Sequence, residues 1–216
     1  MVLLLLAPLA GCGGDDDEGE KKVKPVAGTF VSKVQGSKAF VSVVAAPRAK
    51  GQDKRAITVF VCDAERLCEA FAASAAANDF TATSGGDGGE AKGKLSAKAA
   101  SGTIEPPEGE TLRYKAVQAP ATSGLYDLTI SRDGKLKGAS AAGVALKGNL
   151  ELPPPGTGTL KLADGKRVKL DVVKSSGDLR LRPGQVRLIV LPDRQLRGAG
   201  KGRGGGERAF FVRSSK

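Results

Sequence analysis

The chain has 216 residues, of which 34 are Lys or Arg and 23 are Asp or Glu, for a formal charge of +11. With 40% hydrophobic and 26% charged residues, it is neither a disordered polar chain nor a multi-span membrane protein. It contains no His and no Trp, which removes most hydrolytic triads, most zinc enzymes and the usual general base near neutral pH.

Val2 to Leu9 form an apolar run far shorter than the roughly 20 residues that span a bilayer. Leu9-Ala10-Gly11-Cys12 follows, small residues directly before a cysteine, and Asp15-Asp16-Asp17-Glu18 begins a solvated acidic stretch. The run and its cysteine resemble the lipobox of bacterial lipoproteins. The resemblance implies a signal peptide over 1–11, lipid on a new N-terminal Cys12, and an extracytoplasmic protein anchored to the cell membrane by that lipid. Residues 12–26 then read as an acidic and polar tether. No Lys or Arg precedes the apolar run, where a signal peptide ordinarily has one, so the encoded start is expected upstream of Met1.

Once Cys12 is set aside, Cys62 and Cys68 remain, an even pair in a chain bound for an oxidising compartment. Five residues separate them rather than the two of a redox motif, and without His they cannot complete a zinc site. A structural disulfide is expected, the alternative being two inert core thiols.

From Gly28 onward the dominant pattern has period two, the signature of strands. Ala39, Val41 and Val43 share one face, with Phe40, Ser42 and Val44 on the other. Ile57 to Val61 reads as a strand buried on both faces. A short helix is predicted over about 64–77, with Asp63 as its cap, Leu67, Phe71 and Ala75 at helical spacing, and an alanine-rich body.

Tyr126, Leu128 and Ile130 then alternate with polar residues up to a turn at Asp133-Gly134, with both residues expected at positive φ. Leu160 and Leu162 lead to Asp164-Gly165 and on to Val168, Leu170 and Val172. Leu179 and Leu181 lead to Pro183-Gly184 and on to Val186, Leu188 and Val190. Successive hairpins with a single helix make the fold class mainly β, an antiparallel meander forming a barrel-like or sandwich-like domain. That domain is expected over 27–200, with a hairpin extension over 138–184, followed by a Gly/Arg-rich segment and final strand over 201–216.

Two glycine motifs carry no chemistry. Gly88 to Lys94 has the spacing of a phosphate-binding loop, but Leu95 stands where Ser or Thr would hold magnesium. Gly200, Gly202 and Gly205 match a dinucleotide fingerprint with no helix after them to meet a pyrophosphate. No serine–lysine acylation pair is present. No catalytic residue, metal site or cofactor is assigned, and the chain is not expected to be an enzyme. A carboxylate-based envelope enzyme, processing glycosides or wall polymer, is the competing class, because its acids would meet only in the fold.

Charge is uneven along the chain. Residues 161–216 carry 15 basic and 5 acidic groups, against 16 and 13 over 25–160. Arg187, Arg194, Arg197, Lys201, Arg203 and Arg208 are the candidate cations for a polyanion of the envelope, either acidic lipid headgroups or a phosphate-bearing wall polymer. A solvated basic face accounts for the same charge without a partner. Nucleic acid is not expected, since Phe210 and Phe211 are the only stacking groups in the segment and lie in an apolar run.

Four stretches together carry a second resemblance. They are Gly28-Thr29-Phe30-Val31 through Val44, Val59-Phe60-Val61-Cys62-Asp63 with Phe71, Gly124-Leu125-Tyr126, and Ile189-Val190-Leu191-Pro192-Asp193 with Gln195, Arg197 and Gly198. Their order and type resemble an uncharacterised secreted β domain of envelope proteins in high-GC bacteria. Arg194 stands where that pattern usually has Gly. The resemblance implies fold and location, and no activity. The expected function is that of a lipid-anchored envelope protein acting as a binding or structural module.

Overall fold

Among the residues the structure describes, the alternation that reads as strand in the sequence is realised as strand. The computed structural model describes residues 24–85, 88–131, 133–150, 156–174, 186–201 and 208–213. The expected signal peptide, Cys12, most of the tether, the Leu179–Gly184 segment and Arg203 lie outside them. Among the described residues every helix or strand assigned is a strand, and all strand pairs are antiparallel.

Strands β1 (Gly28–Lys33), β2 (Phe40–Ala45), β3 (Arg55–Cys62), β4 (Cys68–Ala75), β5 (Asp79–Ser84), β6 (Glu90–Leu95), β7 (Ala99–Glu105) and β8 (Leu112–Gln118) run up and down in chain order. They close into a barrel where β8 pairs with β1. The second set is β9 (Gly124–Ile130), β10 (Lys135–Ser140), β11 (Ala145–Leu150), β12 (Gly156–Lys161), β13 (Arg167–Lys174), β14 (Val186–Val190), β15 (Leu196–Lys201) and β16 (Arg208–Arg213). These close in the order β10-β11-β12-β13-β16-β15-β14-β9.

The strands expected to form an extension over 138–184 are therefore consecutive staves of a second closed sheet. Each of those hairpins is local in sequence. The pairings that close the barrel, β9 with β14 and β13 with β16, reach across the chain. The expected final strand is β16, inserted between β13 and β15. The hairpin expected to end in Val186–Val190 is a correction: β14 is paired along one edge with β9 and along the other with β15, which leaves no edge for a preceding strand.

Both barrels are filled. Phe30, Val41, Val43, Ile57, Val59, Phe71, Phe80, Ile104 and Tyr114 pack inside the first, with alanine on the strands where space is tight. Tyr126, Leu128, Leu136, Leu146, Leu160, Leu170, Leu188 and Phe211 pack inside the second. The interiors are apolar and the charged side chains face out, the reverse of a lipid-spanning barrel, except for buried Arg55, which donates to the Ala77 carbonyl and to Asn78. Coiling eight strands this tightly brings backbones together. A Cβ on Gly102 would lie 1.9 Å from the Lys92 carbonyl oxygen, and one on Gly148 2.2 Å from that of Thr159.

The predicted helix is a correction: Cys68–Ala75 is strand β4. Asp63 makes the expected cap-like bonds, its Oδ1 accepting from the amides of Glu65, Arg66 and Leu67 at 2.7, 2.8 and 2.9 Å. These bonds close a hairpin loop instead, in which the Asp63 amide donates to the Leu67 carbonyl. Phe71 and Ala75, four residues apart, share a face in either structure, so their spacing does not discriminate. Eight residues of β4 pair in register with β3, and this ladder overrides the local preference of alanine. Cys62 and Cys68 are register partners in that ladder, 4.0 Å apart at Cα, and they form a disulfide.

A third apolar cluster joins the barrels. Val31, Phe40, Phe60, Cys62, Ala64 and Cys68 meet Leu125, Ile189, Leu191 and Phe210. This accounts for the double burial expected of Ile57–Val61: Ile57, Val59 and Val61 face the barrel interior, while Phe60 faces the second barrel.

Candidate polyanion-binding face

On β10 to β13 the alternation places leucine or valine inward and cations outward. Leu136, Leu146, Leu160, Val168 and Leu170 are buried, while Lys135, Lys137, Lys147, Lys161, Arg167 and Lys169 are exposed. Register then decides how the cations meet. Lys137 lies opposite Lys147, Lys147 opposite Lys161, and Lys161 opposite Arg167. Four cations thus form one row across four strands, spanning about 14 Å at ordinary strand spacing. A second row, two residues along, runs Lys135, Asn149, Thr159, Lys169.

Like charges directly opposite on neighbouring strands destabilise a sheet. Lys137, Lys147, Lys161 and Arg167 have no acidic partner among the described residues. Asp171 is the sole acid on the outward side of these strands among those residues, and it lies opposite Thr157, away from the row. The two rows border a groove of about 520 Å³ lined by Lys135, Lys137, Lys147, Asn149, Lys161 and Arg167, with Gly148 contributing no side chain to it. A second depression, sharing Lys135 and Lys137, extends it toward Thr129 and Ser131 of the β9–β10 hairpin.

At one corner Lys135 is paired, 2.7 Å from Asp133. That hydrogen bond and another from Ser131 hold the Asp133 carboxyl down at about 2, and the same pair raises Lys135. Asp164, at the tip of the β12–β13 hairpin, is also lowered, chiefly by the Lys166 amide and further by Arg194. Both carboxyls with displaced titrations are therefore held in the charged form. Among the described residues no three His, Cys, Asp or Glu side chains gather as a metal site.

The candidate cations from the last quarter of the chain lie elsewhere, and those whose side chains are described are already engaged. Arg187 is 2.6 Å from Asp127, its partner across β9 and β14, and its guanidinium lies 5.6 Å from the Phe60 ring centre. Arg197 sits 4.7 Å over Phe40 and donates to the Leu196 carbonyl, and burial lowers its titration. Arg194 pairs with Asp164 at 3.3 Å. Lys201 and Arg208 are register partners on β15 and β16, and Arg203 lies outside the described residues. Arg187 and Arg197 thus join barrel to barrel through two phenylalanines.

The row that does converge is not apparent along the chain, because its members are scattered from 137 to 167. The available signal was the pattern Lys135-Leu136-Lys137, Leu146-Lys147, Leu160-Lys161-Leu162 and Arg167-Val168-Lys169, with cation and apolar residue alternating on successive strands. The chain matches no protein-family model, no curated protein and no solved structure.

Proposed function

We propose that the protein is a lipid-anchored extracytoplasmic binding module that presents the outer face of β10–β13 to a polyanion of the cell envelope. The observation that carries this reading is the row Lys137, Lys147, Lys161, Arg167. A merely solvated exterior would intersperse acids and gain stability. This one accepts cross-strand repulsion, which a bound polyanion removes. The lipobox-like Leu9-Ala10-Gly11-Cys12 supports the anchor, since lipoprotein processing supplies the two or more acyl chains that stable attachment needs. The carboxylate-enzyme alternative gains no support from Asp133 and Asp164, which are separate turn residues held ionised.

Two experiments test the reading. Palmitate labelling should mark the wild type and not Cys12→Ser; equal labelling removes the anchor. Retention on cellulose phosphate across a salt series should fall to background in Lys147→Glu/Lys161→Glu. Retention that is unchanged, or insensitive to salt, removes the binding face.

A further inference from the structure

We infer that the ligand of this face is a linear polyol phosphate, a chain of phosphodiesters joined by hydroxylated spacers, laid across strands β10–β13. The inference rests on the polyanion-binding reading and narrows it.

Three features of the face select this chemistry. The first is the division of labour between its rows. Lys137, Lys147, Lys161 and Arg167 supply an unbroken line of cations, and the parallel row, about 6.7 Å away, places Asn149 and Thr159 at its centre. Lysine meets phosphate as a point charge with three donors, so neighbouring lysines can share one phosphate. Asn and Thr both donate and accept, so beside the cations they can meet the hydroxyls of a spacer as well as phosphate oxygens, which a row of lysines alone cannot do, having no acceptor.

The second feature is the absence of stacking or wedge groups. Among the described residues no aromatic side chain lines the groove or its extension. A nucleic-acid strand would leave its bases without platforms. Among the described residues the exposed large hydrophobics are Val117 and Val173, neither of which lines the groove. An interfacial lipid site would need apolar side chains to enter the acyl boundary. The third feature is direction. The row crosses the strands and continues past β10 to Thr129, which lies opposite Lys137. It therefore offers a track for an extended chain rather than a pocket for one headgroup.

The test uses the 216-residue chain carrying Cys12→Ser, so that no lipid contributes to vesicle binding, and fluorescently labelled poly(glycerol phosphate), with three comparison probes: polyglutamate of equal charge, oligo(dT), and phosphatidylglycerol vesicles. Poly(glycerol phosphate) should bind at least tenfold tighter than polyglutamate or oligo(dT). Lys147→Gln/Lys161→Gln should weaken it at least tenfold and reduce the salt slope by about two, one for each lysine–phosphate pairing removed. Asn149→Ala/Thr159→Ala should weaken poly(glycerol phosphate) severalfold and leave polyglutamate unchanged. Polyglutamate or oligo(dT) binding as tightly, or vesicles binding while the polymer does not, overturns the polyol-phosphate assignment and leaves the polyanion face standing. If none of the four probes binds, both readings fall. All four substituted side chains lie on the outer face of the sheet and outside the core, and matching circular dichroism and melting curves separate impaired binding from impaired folding.

Discussion

Arg194 holds a left-handed backbone, φ 65°, and places its guanidinium 3.3 Å from Asp164, at the tip of another hairpin of the same barrel. In both turns the residue four places on from the first accepts the first residue's amide, and the fourth residue's amide donates back to the first: Leu191 to Gln195, and Leu162 to Lys166. The position that Arg194 occupies is filled by Gly165 at φ 81° in the Asp164 turn, and by Gly134 and Gly143 in two further hairpins. An L side chain there costs roughly 1–2 kcal/mol, and the exposed pair with Asp164 returns at most about 1 kcal/mol.

Replacing Arg194 should therefore separate backbone strain from ion pairing. Both Arg194→Ala and Arg194→Gly remove the ion pair with Asp164, but only glycine relieves the backbone. Urea denaturation should show Arg194→Gly more stable than Arg194→Ala by about 1 kcal/mol. Equal stabilities would mean that the left-handed conformation imposes no cost.

The disulfide between Cys62 and Cys68 closes a short loop whose Ala64 reaches the interface between the barrels. Alkylation without reductant should label neither thiol. Cys62→Ser/Cys68→Ser should cost about 2 kcal/mol, the low end expected for so small a loop. Two labelled thiols in the mature protein would show that the bridge is not formed.

Barrel closure depends on strands approaching where glycine has no side chain. Gly102→Ala should lower stability by several kcal/mol or prevent folding, because the neighbouring carbonyl cannot move without breaking the β6–β7 ladder. Gly85→Ala, with open space around its Cβ, should stay within about 0.5 kcal/mol of wild type. Comparable effects in the two variants would contradict the close-approach argument.

The two barrels are held together by Phe40 and Phe60 under Arg197 and Arg187. Phe60→Ala should cost about 3–5 kcal/mol; by calorimetry the wild type should unfold in one transition, and the variant in two as the barrels uncouple. A double-mutant cycle on Phe40 and Arg197 should return about 0.5–2 kcal/mol of coupling. A cycle that closes to zero would reduce the ring contact to proximity.

Asp133 is held down at about 2 by Lys135 and Ser131, below the roughly 3.9 of an unfolded chain. A carboxyl with a lowered folded value adds stability above the unfolded value, and that contribution disappears as pH falls through the folded one. The thermal midpoint of the wild type should exceed that of Asp133→Asn near pH 5, and the gap should close toward pH 2. A gap that is constant across this range would show that Asp133 contributes nothing through its charge.

The sequence by itself determined the β class, the alternating faces of the strands around Val41, Val59, Leu128, Leu170 and Leu188, and the cysteine pair; at the Asp133-Gly134 turn only Gly134 takes the positive φ expected of both residues. Each of these depends on neighbours a few residues apart: Leu128 and Ile130 alternate visibly, and Gly165 marks its own turn. Cys68–Ala75 carries a helical signature although it is strand, because Phe71 and Ala75 suit a helix as well as a strand and Asp63 caps a loop with the bonds it would use to cap a helix. Tertiary structure alone decided that there are two barrels, since the closing contacts of β1 with β8 and β13 with β16 join segments far apart in the chain. It also relocated the candidate site. Charge counted along the chain pointed to Arg187 and Arg197, which fold onto phenylalanines, while strand register gathered Lys137, Lys147, Lys161 and Arg167 from successive strands into one row. Register is set by closure of the whole sheet, so no local window of sequence contains it.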